Sequence, residues 1–65
     1  MQGIRKMRER AGLTQEKVAE RMEVKQSTVA AWEAGRYLPE ANKLPKLAEV
    51  LGCSIDDLYR KESHR

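Results

Sequence analysis

Apolar residues recur along this chain at helical rather than alternating spacing. Ile4, Met7 and Ala11 fall at i, i+3 and i+7 and predict a first helix from about Gly3 to Ala11. Gly12 follows as its left-handed C′ residue. Val18, Ala19 and Met22 mark a second helix, with Thr14 as N-cap and Glu16 in the first turn. Val29 and Trp32 mark a third from about Gln26 to Ala34, stopped by Gly35. Arg36 to Pro39 reads as a loop, bracketed by Gly35 and Pro39. Leu44, Leu47, Ala48 and Leu51 form the stripe of a fourth helix, opened by Pro45 at N1 and ended by Gly52. Ser54 caps a short fifth helix with Asp56 and Asp57 in its first turn and Ile55, Leu58 and Tyr59 as its buried face. The pattern is all-α: five helices, no strand, one domain over residues 1–60, and a flexible polar tail at 61–65.

Two details sharpen that outline. Arg8 lies next to Met7 on the inward stripe of the first helix, and Glu33 lies at i+4 from Val29 on the buried side of the third. An unpaired buried guanidinium costs several kcal/mol, so the two are expected to pair. Only Glu23 and Val24 separate Met22 from the polar run Lys25-Gln26-Ser27-Thr28. Helices joined so tightly cannot lie side by side; the second is held proud of the surface, in a helix-turn-helix arrangement.

Composition narrows the class. The chain has 65 residues, 40% hydrophobic and 35% charged, with 13 Lys and Arg against 10 Asp and Glu for a net charge of +3. The excess is compatible with a polyanionic partner and carries little weight alone. No window approaches the roughly eighteen apolar residues of a membrane span, and no signal-peptide core opens the chain, so a cytoplasmic location is expected. A single cysteine, Cys53, excludes an internal disulfide. No nucleophile–base set or glycine-rich phosphate loop is present, which argues against an enzyme. The sole histidine, His64, lacks partners for a metal, and no cofactor or small-molecule ligand is implied.

In order and at the right distances, these features resemble the Cro and phage-repressor type of helix-turn-helix, the XRE family. The resemblance covers roughly Ile4 to Tyr59. It rests on L-T-Q at Leu13 to Gln15, Ala19, Q-S-T-V-x-x-W-E-x-G from Gln26 to Gly35, L-x-x-L-A-x-x-L-G from Leu44 to Gly52, and C-S-I-D-D-L from Cys53 to Leu58. It implies a compact five-helix bundle of the lambda-repressor-like type, binding operator double-stranded DNA as a homodimer in transcriptional control, usually repression. The third helix would enter the major groove amino end first. By position, Gln26, Ser27 and Ala31 match base-facing sites, Gln15 and Arg36 phosphate sites, Thr28 a site touching backbone or base, and Arg8 and Glu33 the family's buried ion pair. Five positions depart from the pattern: Glu23 replaces the turn glycine, Lys25 a capping Ser or Thr, and Ala30, Ala31 and Ala34 longer polar residues.

The chemistry of such a contact follows from residue type. Lys25, Arg36, Arg10 and Lys43 can meet phosphates. Gln26 can pair its amide with adenine N6 and N7, Ala30 or Ala31 can set a methyl against thymine, and Lys25 can meet a guanine edge instead of a phosphate. The plainer alternatives are that Gln15 is an exposed helix start, that Gln26 to Thr28 are a solvated face, and that Trp32 and Cys53 are core. The competing function is a protein-interaction module, an antitoxin or adaptor component, on the same scaffold. The family resemblance places a dimer surface around Cys53 to Tyr59.

Overall fold

A computed structural model describes residues 3–59. Helices α1 (Gly3–Arg10), α2 (Gln15–Met22) and α3 (Gln26–Ala34) lead to a 3₁₀ turn at Ala41–Lys43, then α4 (Leu44–Leu51) and α5 (Ile55–Tyr59). The described residues contain no strand, as the periodicity predicts. The 3₁₀ turn has no counterpart in the apolar pattern, because three residues are too few to show a period. It runs directly into α4, so Leu44 takes the first helical position and Pro45 the second. Either place suits proline, since no N–H in a helix's first turn has an intrahelical partner.

The four longer helices end alike. At Gly12, Glu23, Gly35 and Gly52 the backbone turns left-handed. At each, two successive N–H groups reach back over the last turn, as in Leu13 N to Arg8 O at 3.1 Å and Gly12 N to Glu9 O at 3.0 Å. This closure satisfies carbonyls that the helix leaves open. Three of the four positions are glycine. Glu23 adopts φ 60° with a Cβ, and its N–H and that of Val24 bond to Glu20 and Ala19 carbonyls all the same. The turn between α2 and α3 is therefore strained and closed at once.

Each helix commits one face to a single core: Ile4 and Met7 from α1, Val18, Ala19 and Met22 from α2, Val29 and Trp32 from α3, Leu44, Leu47, Ala48 and Leu51 from α4, and Leu58 from α5. Two expectations need correction. Ala11 is exposed although its N–H still bonds to the Met7 carbonyl at 3.0 Å: the stripe runs on past Arg10, but the core does not extend to it. Ile55 and Tyr59 are 37% and 55% exposed, leaving Leu58 as the buried residue of α5. A helix of little more than one turn aims one side chain inward and leaves its flanks at the rim. Ser54 caps it as expected: Asp57 N donates to Ser54 Oγ and Ser54 N to Asp57 Oδ2, both at 3.1 Å. The tail at 61–65, with His64, lies outside the described residues.

The two ends of the bundle meet at Gly3. A β-carbon there would lie 1.9 Å from the Asp57 carbonyl oxygen and 2.8 Å from that of Leu58. Only a glycine lets α1 press its first turn onto the α5 backbone. Gly3→Ala is expected to lower stability by about 2 kcal/mol through overpacking; a thermal melt coinciding with the parent's would refute the close approach. Glu23→Gly is expected to raise stability by roughly 0.5–1 kcal/mol, about 4 °C in melting temperature, by relieving the left-handed strain. A lower melting temperature would show that this turn carries no strain.

Candidate nucleic-acid interface

The outer face of α3 is a low ridge of Gln26, Ser27, Ala30 and Ala34, in register at i, i+1, i+4 and i+8. Two shallow depressions lie along it and share Ala30 and Ala34. One is lined in addition by Arg5, Arg8, Gln15 and Glu33, the other by Gln26, Ser27, Ala31 and Arg36. A third, on the opposite flank, brings Thr28 and Lys43 together with Val24, Trp32, Tyr37, Leu38 and Glu40. Among the described residues, the large exposed apolar side chains are Tyr37, Leu38, Ile55 and Tyr59, and none is on α3.

A chain of hydrogen bonds holds the amino end of α3. Arg8 donates from Nε to Glu33 Oε2 at 2.6 Å and from Nη2 to Oε1 at 3.2 Å, and Nη1 reaches the Leu13 carbonyl at 2.8 Å. The Arg8 and Glu33 side chains are 14% and 5% exposed, so the pairing expected from periodicity is present and largely out of water. The bond to Glu33 raises the Arg8 guanidinium above its ordinary pKa, against an opposing effect of burial. Gln15 Nε2 donates to Glu33 Oε1 at 2.9 Å, and Gln26 Nε2 donates to Gln15 Oε1 at 2.6 Å. Gln15 and Gln26 are thus tied to each other and to the buried pair, a link that the sequence pattern does not reveal. No buried side-chain nitrogen or oxygen among the described residues lacks a partner.

The other candidates divide. Ser27 and Lys25 are exposed at the start of α3, and Lys25 makes no capping bond. Arg36 is exposed just past Gly35, and Lys43 is half-buried beside Thr28. Ala30 is half-buried on the ridge, whereas Ala31 is 7% exposed and offers little of its methyl. Arg10 is not brought to this face. Its guanidinium lies 3.8 Å from Met7 Sδ, and its charge acts on Cys53. Besides Arg8, the α1 arginine that reaches the α3 side is Arg5, three residues before it and so on the same stripe. That spacing was visible in the sequence. Arg5 Nε is 3.3 Å from Glu9 Oε2, an exposed pair of little energetic weight.

A profile of the helix-turn-helix family matches residues 4–58. This chain belongs to the Cro/C1-type (XRE) helix-turn-helix family. Among curated relatives, an uncharacterized HTH-type transcriptional regulator of Methanothermobacter thermautotrophicus is 42% identical, over 86% of this chain and 83% of its own length. Another, from Archaeoglobus fulgidus, is 36% identical over 86% of this chain and 80% of its own. A third, YgzD of Bacillus subtilis, is 32% identical over 86% and 85%. No solved structure matches. In this helix-turn-helix chain, α2 and α3 are the motif and Glu23 is its turn.

Cys53 is half-buried, and desolvation pushes its thiol above the usual range, with Asp57 adding to the shift and Arg10 opposing it. That environment suits a packing residue rather than a reactive thiolate. Among the described residues no group of His, Cys, Asp or Glu could hold a metal, and no helix is long and apolar enough to cross a membrane.

The buried pair sets a stability test. Glu33→Ala leaves Arg8 desolvated without its carboxylate and is expected to destabilise by about 3 kcal/mol. Chemical denaturation would measure it; a change below roughly 0.5 kcal/mol, the size of an exposed pair, would contradict the burial.

Proposed function

We propose that this chain is a sequence-specific double-stranded DNA-binding transcriptional regulator, acting as a repressor, with α3 in the major groove. The observation that carries the reading is the α3 ridge. It is small and polar, free of large apolar side chains, and flanked by Arg5 and Gln15 on one side and Thr28 and Lys43 on the other. A protein-docking face would more often present exposed Leu or Phe along α3. The relatives' printed description as transcriptional regulators supports the same reading.

In this reading Gln26 meets adenine N6 and N7, contributing about 1–3 kcal/mol of discrimination, while Ser27 contacts base edges with little preference. Lys25 meets a phosphate or a guanine edge. The Ala30 methyl packs on thymine, with Ala31 closing the floor behind it. Gln15, Thr28, Arg36 and Lys43 hold phosphates, and Arg5 takes the place expected of Arg10. The protein works as a homodimer in the cytoplasm. Exposed Ile55 and Tyr59 in the Cys53–Tyr59 segment support that segment as the contact surface.

Selection of bound sequences from a random duplex library is expected to return a two-fold symmetric site. On that site, in an anisotropy titration, Gln26→Ala should lose about tenfold in affinity while random duplex is bound nearly as before. Arg36→Ala should weaken both and reduce the salt slope by about one unit. Equal loss on both duplexes for Gln26→Ala, or an unselective library, would overturn the reading.

A further inference from the structure

We infer that Glu33, a residue that would never touch DNA, is a positioning residue for specificity: acting through Gln15, it sets which way the Gln26 amide faces. The inference rests on the base-reading role proposed for Gln26 and extends it.

An amide carries a donor end and an acceptor end, and an isolated glutamine can present either. An ionised carboxylate only accepts. Both Glu33 oxygens already accept N–H groups from Arg8, so the end of Gln15 turned toward them must be the NH₂ group, as the 2.9 Å contact has it. Gln15 Oε1 is then left facing Gln26, and the end of Gln26 turned toward Gln15 must be its NH₂ group, at 2.6 Å. The polarity of the chain is thus forced by its buried end. With one N–H given to Gln15, the exposed Gln26 amide offers its carbonyl oxygen and the remaining N–H outward.

That edge discriminates between the purines. Adenine presents a donor at N6 and an acceptor at N7, matching one carbonyl and one N–H. Guanine presents acceptors at O6 and N7, so the carbonyl oxygen would face an acceptor. A Gln26 freed from the relay can rotate and turn both N–H groups to guanine. The relay therefore rejects guanine as much as it favours adenine.

The test uses the full chain and a duplex carrying the selected site, with and without the A·T pair that Gln26→Ala identifies replaced by G·C. Gln15→Met cuts the relay and leaves the Arg8–Glu33 pair in place. Glu33→Gln removes the acceptor-only group at nearly constant shape. In the free protein, both substitutions should shift the Gln26 side-chain amide signals in ¹H–¹⁵N spectra. On DNA, the parent should prefer A·T over G·C by about tenfold, and in both variants that ratio should fall to within about threefold, on top of any affinity that Gln15→Met loses equally on both duplexes with its phosphate contact. A purely structural role would weaken both duplexes equally, and an unchanged ratio in either variant overturns the inference. So do Gln26 amide signals that ignore both substitutions. A parent with no purine preference at that position would instead show that Gln26 does not read a base, and the inference falls with that reading.

Discussion

The ion pair between Arg8 and Glu33 is the contact on which the working face depends. It joins α1 to α3 across the top of the core, and both side chains are mostly removed from water. A pair in that position is a hazard if half of it is lost and contributes modestly when intact. Its value here is directional. Glu33 accepts from Arg8 and from Gln15, Gln15 accepts from Gln26, and a fixed charge inside the fold becomes a fixed orientation at the surface. No hydrogen-bonding capacity is left stranded along the way.

The remaining architecture delivers α3 to its place. Left-handed closures end α1 to α4 with nearly identical backbone bonding, so the chain turns sharply and loses few residues to loops. Glu23 is the exception in composition, though not in geometry. A glutamate holds the tight turn of the motif at the expense of backbone strain, and the N–H groups of Glu23 and Val24 bond across it. At the opposite end, Gly3 lets α1, the helix carrying Arg5 and Arg8, lie directly on the α5 backbone. Small residues thus govern both the approach of α1 and the openness of the α3 ridge, where alanines keep the surface low.

Arg5 and Arg10 illustrate how one helix distributes basic charge. Both are exposed, yet Arg5 borders the α3 depression and the charge of Arg10 acts on Cys53. Five residues along a helix turn the side chain by roughly 140°, enough to separate the two faces. Ile55 and Tyr59 make the same point for apolar groups. Their hydrophobicity suggested core, but α5 is too short to bury more than Leu58, and the two are left outside as material for an interface.

The sequence by itself determined the helices, their caps and the buried pair. Those features are local, or follow from a period of 3.6 residues: Thr14 before α2, the glycines after α1, α3 and α4, and two opposite charges on inward stripes. Their combined spacing was also enough for the family. Tertiary structure decided which neighbours each face acquires: that Gly3 meets the Asp57 carbonyl, that Arg5 rather than Arg10 borders α3, and that Gln15 lies between Glu33 and Gln26. Periodicity states which way a side chain points from its own axis. It does not state what another helix brings to that point, because this depends on the distances and tilts that packing alone sets.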